Sequence, residues 1–577
     1  MRRIIASTLF LLLLALPAWS ATYYVKNGGN DAAAGTSDET AWETTTKVFN
    51  TVQNGDTVYF RSQDTWTNAS AANVLNTRRS SVTYIGNGYG SGTRATLLGG
   101  SSAGSPTAVV LIPRSNTVLR GFNIDMGGYP IGGVYINGWY SEDIDNVTVD
   151  NMVIHNSVWE TSTWGYGINA GPTTCTANTN ITISNIEMYM LMAEGIAVYT
   201  GWNADNNCIN TVDNIVIRDS STCSIVLAND VNHATIYNNV IDNVSNERGA
   251  QITGFLVRIS TTASEYINVY NGPRNFVFRN NLIRDMVKGV EMYNGKSLPF
   301  SGSIYNNVFY NNGKGSDTGQ GDIYIRVGSA WDYPEGTAID IYNNTFYTNV
   351  NLGTSNNVGI GLCVEGAVDR CGSPVFNVKN NVIHVGPAIT SDNFKPIYDK
   401  SGALTALGSH SNNLIYRESG TTAVVDNAAT YTISNVSTWE DTVVTGDPLL
   451  VSTSTPDLSL QSGSPAIDNG VDLSGTFTTD YTGTTRSGTW DIGAYEWVSG
   501  SAGPTLTTPA EGSTVTIITG VTFSWSAVEN AVLYQLQVAT DSGFTNLVAD
   551  VLTSETSYEA TNLAGGMHYY WRVRALR

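Results

Sequence analysis

Lysine occurs only eight times in 577 residues, and all charged residues together make up 14% of the chain. Globular proteins ordinarily carry roughly 25%. Acidic residues outnumber basic ones 49 to 29, for a formal net charge of -20. A nucleic-acid binder needs a cationic surplus to neutralise phosphates, so this balance excludes that class. Cysteine is scarce as well, at five, and no C-x-x-C pair occurs, which removes a zinc ribbon. Past residue 16 no apolar run is long enough to span a bilayer. The Ala, Glu, Lys and Leu richness of coiled coils and helical bundles is missing. Disorder is excluded in turn, because 41% hydrophobic residues with 13 Trp and 30 Tyr can build cores.

Glycine and asparagine fill the gap, with 57 of each. The N-terminus has the pattern of a secretory signal peptide over residues 1–20. Arg2 and Arg3 precede an apolar stretch from Ile4 to Leu16, and Pro17-Ala18-Trp19-Ser20 offers a small-residue cleavage pattern. The expected location is therefore secreted or cell-surface, with no transmembrane segment in the mature chain. Loss of two Arg would take the mature charge from -20 to -22. In an exported chain five cysteines permit at most two intrachain disulfides. Cys363 and Cys371 are close enough in sequence to staple one loop, and Cys175 with Cys208 is a second candidate pair.

Internal repeats set the architecture. One phrase is Asn or Asp, then Asn, then an apolar alternation. It occurs at Asn151, Asn185, Asn214, Asn239, Asn281, Asn307, Asn344, Asn381 and Asn413. A second phrase, a small residue followed by apolar alternation, interleaves with it from Gly133 to Gly359. Those end points are 226 residues apart in seven steps, about 32 per step. Each repeat reads as short period-two strands between Asn and Gly turns. No such repeat can bury its apolar face alone, so the repeats must stack as a solenoid. A recurrent Asn at one corner is expected to hydrogen-bond from coil to coil and to tolerate the backbone of the turn.

In these phrases the chain resembles the right-handed parallel β-helix proteins of the pectate-lyase-like superfamily. The resemblance implies an all-β solenoid of about ten coils with an N-terminal cap. It spans 101–440, with cap and first coils over 21–100 and a closing segment over 441–497. The stretch carrying Val48, Phe49 and Val52 would form the capping helix. Ser464-Pro465-Ala466-Ile467-Asp468 and Asp491-Ile492-Gly493-Ala494-Tyr495-Glu496-Trp497 resemble the closing segment of secreted bacterial members. After a linker at 498–503, residues 504–577 resemble a fibronectin type III module. Trp525, Tyr534-Gln535-Leu536-Gln537-Val538 and Tyr569-Tyr570-Trp571-Arg572-Val573 carry that likeness, with Tyr569 at the corner-tyrosine place. The chain stops about one strand short of that module, so a truncated sequence is expected.

Taking apolar strand positions as inward, alternate residues of the second phrase point outward. With coils about 4.8 Å apart, Arg258, Glu291, Tyr293, Tyr324, Arg326 and Glu365 would share one face. Loops carrying Arg248, Lys288 and 314–317 would wall it, and Lys296 follows the Glu291 strand. In the resembling family this face holds polysaccharide, and its lyases remove the proton α to a uronate carboxylate. By that resemblance Arg258 and Arg326 would bind the carboxylate as planar forks. Lys288 or Lys296 would act as base, and Glu291 with Glu365 would hold calcium, the one cofactor suggested. Arg248, Tyr199, Tyr293 and Tyr324 would contact sugar, the tyrosines as stacking platforms.

The expected function is cleavage of an acidic, uronate-containing extracellular or cell-wall polysaccharide by β-elimination, acting as a monomer. A non-catalytic glycan-binding or adhesion protein is the alternative. An inverting hydrolase is the second alternative, with Glu291 and Glu365 placed two coils apart, about 9.6 Å by strand spacing. No Asp-Asp or His-Gly dipeptide occurs, and the polygalacturonase-like members of this fold rely on both. Ordinary cross-strand pairing explains neighbouring Arg and Glu equally well.

Overall fold

The computed structural model describes residues 20–576, apart from 68–72, 101–107, 130, 137–142, 158–165, 172–176, 190–194, 200–210, 219–220, 223, 229–230, 243–252, 259–272, 287, 295–299, 314–319, 328–335, 351–356, 364–373, 401–403, 405–407, 499–503, 516–519, 529–530, 532, 543, 545 and 562. Residues 1–19, nearly all of the expected signal peptide at 1–20, lie outside the described residues. The regular structure of the described residues is nearly all strand, and the strands of the repeats pair in parallel, as a β-helix requires. It divides into two compact units, one of residues 1–216 with 245–247 and one of 217–244 with 248–577.

In the first unit a seven-residue helix, Thr45–Thr51, buries Val48. The Thr44 hydroxyl caps it by accepting from Lys47 N at 3.1 Å, satisfying one of the four orphan N–H groups of the first turn. One parallel ladder includes Thr22–Val25 with Thr57–Phe60, and Ile144–Ser157 with Ala177–Tyr189. A second joins Leu75–Asn76, Ala108–Ile112, Gly132–Ile136, Ile168–Asn169 and Ile196–Tyr199.

The second unit repeats a coil of three strands. Phe276–Arg279, Leu282–Arg284 and Lys288–Asn294 form one coil. Ser301–Tyr305, Val308–Tyr310 and Gln320–Val327 form the next. Inward side chains stack in columns: Phe278, Ile304, Ile341 and Val378 on one wall, and Ile283, Phe309, Phe346 and Ile383 on another. All are fully buried or nearly so, each contributing about 1.5–3 kcal/mol of transfer free energy.

The recurrent small residue has a steric cause. A Cβ built on Gly289 would lie 2.6 Å from Asp322 O and 2.9 Å from the buried Phe309 ring. On Gly133, Gly167 and Gly359 it would meet the next coil's carbonyl at 2.5, 2.7 and 2.6 Å. The strand bends there with two consecutive residues inward. Lys288 and Glu291 therefore fall on the same outer face although they are three residues apart.

The two asparagines of the Asn-Asn pairs from 238–239 to 412–413 that open the second strand of each coil do different work. The first takes the left-handed backbone, with φ between 47° and 56° at Asn238, Asn280, Asn306, Asn343, Asn380 and Asn412. The second points inward and builds a buried ladder. Asn239, Asn281, Asn307, Asn344 and Asn381 each donate Nδ2 to Oδ1 of the next, at 3.0–3.1 Å. Their backbone N–H groups donate to the same oxygens. Asn413 ends the ladder on Glu440, whose two oxygens accept its N at 2.8 Å and its Nδ2 at 2.9 Å.

The sequence phrase treats Asn151 and Asn185 as members of the same column as Asn239, and the structure corrects this. Asn151 and Asn185 are left-handed, with φ of 52° and 53°, so they match Asn238 instead. The ladder place after them holds the buried apolar residues Met152 and Ile186.

The first asparagines face outward and receive the closing segment. Asn412 Nδ2 donates to Asn469 O, Asn380 to Val471 O, Asn306 to Thr479 O, and Asn280 to Asp480 O and Tyr481 O, at 2.7–3.0 Å. Residues 469–481 thus run back along the solenoid. Arg486 pins the return, bonding Asn306 Oδ1 at 3.0 Å, Gly493 O at 2.8 Å and Glu496 at 3.2 Å.

Residues 504–576 carry two three-stranded antiparallel sheets. Leu506–Thr508, Val521–Trp525 and Ser557–Ala560 form one, and Leu547–Thr553, Leu533–Ala539 and Tyr570–Leu576 form the other. Val521, Phe523, Trp525, Tyr534, Leu536 and Val538 fill the space between them.

Candidate functional site

By backbone register the paired strands Thr253–Arg258, Lys288–Asn294, Gln320–Val327, Asn357–Leu362 and Phe394–Asp399 carry three rows. Parallel pairing puts Leu256, Glu291, Tyr324, Gly361 and Tyr398 in one row. Arg258, Tyr293 and Arg326 form the second. The inward bend at the glycine corner adds a third, Lys288, Gly321, Val358 and Lys395, which strict period two does not anticipate.

Lys288 Nζ is 2.9 Å from Glu291 Oε1, and both side chains are largely buried at 13% and 7% exposure. The same ammonium lies over the Tyr324 ring, 5.2 Å from its centroid. Tyr324 is itself buried against Val358, with Tyr398 packed beside them. Lys395 repeats the motif farther along, with Nζ 5.1 Å from the Tyr398 ring centroid. Burial pushes the Lys395 amine below the ordinary lysine range and the Tyr398 phenol above its own. Tyr324 and Tyr398 are two coils apart, about 9.6 Å. The face therefore alternates cation and ring: Lys288 on Tyr324, then Lys395 on Tyr398.

Of the residues expected in the site, Lys288, Glu291 and Tyr324 come together. Arg258, Tyr293 and Arg326 share a row by backbone register, and Tyr199 ends the strand Ile196–Tyr199; the side chains of these four lie outside the described residues. Arg248, Lys296 and Glu365 lie wholly outside them, as do Cys175, Cys208, Cys223 and Cys371. Cys363 is buried. The residue two coils from Glu291 is Gly361.

Calcium at Glu291 would have to displace the Lys288 ammonium. Calcium needs six to eight oxygen ligands, and this carboxylate already holds an ammonium at hydrogen-bond distance. Among the described residues no three His, Cys, Asp or Glu side chains converge as metal ligands, and no helix is long and apolar enough to cross a membrane.

Lys395 and Tyr398 are absent from the sequence-based site. Their strand, Phe394-Lys395-Pro396-Ile397-Tyr398, carries Pro396 at the corner in place of a glycine, so it does not show the small-residue phrase. The spacing from Gly359 to Pro396, 37 residues, within the range of the other coils, was the available signal.

No family model matches the chain, and no curated protein sequence matches it. Among solved structures, the pectate lyase Pel9A is 12% identical with a TM-score of 0.38, covering 83% of this chain and 96% of that one. XylC in complex with xylose is 11% identical with a TM-score of 0.40, covering 83% and 98%. The mannuronan C-5 epimerase AlgE6 A-module from Azotobacter vinelandii is 14% identical with a TM-score of 0.39, covering 68% and 91%.

Proposed function

We propose that this is a secreted, carbohydrate-active β-helix protein that binds an acidic polysaccharide along the face carrying Lys288, Tyr324, Lys395 and Tyr398 and cleaves it by β-elimination. The observation that carries the reading is the repeated lysine-on-tyrosine unit. A uronate polymer offers carboxylates for cations and flat sugar faces for rings, at intervals comparable to the two-coil spacing.

In this reading Lys395 takes the proton α to the carboxylate. Burial favours its neutral amine, and a general base must be unprotonated at the working pH. Lys288 is held by Glu291 and serves to attract and orient the carboxylate. Arg258 and Arg326 would add guanidinium forks, with Tyr293 between them in register. Lys296, Arg248, Tyr199 and Glu365 keep their sequence-based roles as proposals, and so does calcium, although no step is assigned to it.

The C-terminal sandwich is read as a fibronectin type III-like spacer. Its strand pairing supports this, as does the Tyr569 hydroxyl accepting from Ala564 N at 2.8 Å, the bond of a tyrosine corner.

The test is to follow the ultraviolet absorbance of an unsaturated uronate product on pectate, alginate and glycosaminoglycans, with and without a chelator. Product is expected on at least one, and Lys395→Arg, whose guanidinium stays protonated and cannot take the proton, should abolish it. No absorbance on any uronate sinks the lyase reading. Release of reducing ends without absorbance replaces it with hydrolysis, and binding without either leaves a glycan-binding protein.

A further inference from the structure

The closing segment covers only part of the solenoid wall. Tyr237, Arg279, Tyr305 and Tyr342 stand in register on successive coils. Phe477 and Trp490 pack on Tyr305 and Tyr342, with Phe477 stacked on Tyr305 at 4.4 Å. The cover stops there. At the next rung a cavity of about 830 Å³ opens, lined by Asn238, Arg279, Tyr481, Trp497 and, on the sandwich side, Arg574. Its size is that of small-ligand sites.

Arg279 is the unusual group in it. The half-buried guanidinium lies over the Tyr237 ring, 4.3 Å from the centroid. Among the described residues it makes no hydrogen bond and no ion pair. Every carboxylate in the cavity wall is used elsewhere. Asp480 accepts from Thr482 N, Thr484 N and Glu496 N. Glu496 is bound by Arg486, and Asp457 pairs with Arg574 at 3.5 Å. The linker 499–503, Ser-Gly-Ser-Ala-Gly, carries no charge that could reach Arg279. A planar cation with five donors, fixed on a ring and unmatched, is built for a planar or tetrahedral oxyanion. Tyr481 and Trp497 supply aromatic surface of the kind that stacks on sugar.

We propose that this cavity is a second, non-catalytic site for an anionic saccharide, with Arg279 reading its carboxylate or sulfate group. It is distinct from the lysine–tyrosine face and does not depend on that face being catalytic.

Hydrogen–deuterium exchange on the full chain tests this locally, at residues 276–279 and 478–484. The probes are a trigalacturonate, a sulfated disaccharide and neutral xylotriose. Trigalacturonate or the sulfated sugar should slow exchange in both segments, and whichever does so identifies the anion. Arg279→Gln should raise the ligand concentration needed by about tenfold or more, as expected for losing a charge-assisted bond. Arg279→Lys should lie between, and Lys395→Arg should leave the protection unchanged. Unaltered melting of Arg279→Gln confirms that its fold is intact; if that variant melts early, Arg279→Lys carries the comparison. Equal protection by xylotriose, undiminished protection in the Arg279 variants, loss with Lys395→Arg, or no protection by either anion would each overturn the proposal.

Discussion

Asn343 and Asn344 are chain neighbours that hold opposite sides of the same wall. Asn343 Nδ2 donates outward to Asp491 O at 3.0 Å and Gly493 O at 3.1 Å. Asn344 Nδ2 donates inward to Asn381 Oδ1 at 3.1 Å. The left-handed backbone at Asn343, φ 47°, turns the first side chain out and lets the second enter the core. One dipeptide thereby ties coil to coil and fastens the closing segment.

These two roles should separate on mutation. Asn344→Ala leaves the buried Asn307 N without its acceptor, and a buried unsatisfied donor costs about 1–3 kcal/mol. We expect at least that loss in denaturant unfolding. Asn343→Gly keeps the left-handed turn and loses only the outer bonds, so it should cost less than Asn343→Ala, which adds about 1–2 kcal/mol of backbone strain. Equal effects of the two Asn343 variants would show that strain is not being stored there.

Glu440 acts as the terminal acceptor of the ladder. Its carboxylate receives Asn413 N and Nδ2 and meets His410 Nδ1 at 3.1 Å. An amide has one acceptor oxygen where the carboxylate has two. Glu440→Gln should therefore destabilise by about 1–3 kcal/mol, read as a lower melting temperature.

Asp322 gives a pH dependence whose sign is fixed. It occupies the corner where neighbouring coils have glycine, and its carboxyl is buried against Asn312 Nδ2 at 3.0 Å and Thr348 Oγ1 at 3.1 Å. Burial raises it from 3.8 to about 7. The folded state thus binds its proton more tightly than the unfolded chain. Its contribution favours folding at low pH and is lost as pH rises through about 7. Asp322→Asn retains both partners without the charge. It should raise the melting temperature at pH values above about 7 and flatten its decline between mildly acidic and neutral pH. An unchanged pH profile would refute the assignment.

Activity on a uronate should rise with pH as Lys395 loses its proton, with an inflection below the ordinary lysine range because burial disfavours the ammonium. Lys288→Gln should raise KM more than it lowers kcat, since Lys288 is assigned to binding. A fall in kcat alone would reassign it. Both are read from initial rates across pH.

The sequence carried the coil because the coil is a local object. Alternating apolar residues, a small corner residue and Asn-Asn turns each act within a few positions, so the all-β parallel solenoid was readable from residues such as Gly289, Asn307 and Phe309. The sequence also put Glu291 and Tyr324 on neighbouring coils of one sheet, where strand register sets them in one row. It missed Lys395 and Tyr398 because Pro396 replaces the corner glycine, and it misplaced Asn151 because Asp-Asn and Asn-Asn look alike in one dimension.

What the chain alone determined, then, is which residues face the core and which face outward within a coil, since strand period and corner sterics are set by neighbours in sequence. Only the tertiary structure decided which coils' side chains meet. The Lys288–Glu291–Tyr324 cluster depends on a bend that turns two successive residues inward. The docking of residues 469–493 on Asn280 through Asn412 depends on contacts between residues 57 to 201 positions apart. Coil lengths vary from one repeat to the next, so the register between coils is fixed by packing and hydrogen bonding across the stack rather than by any spacing along the chain.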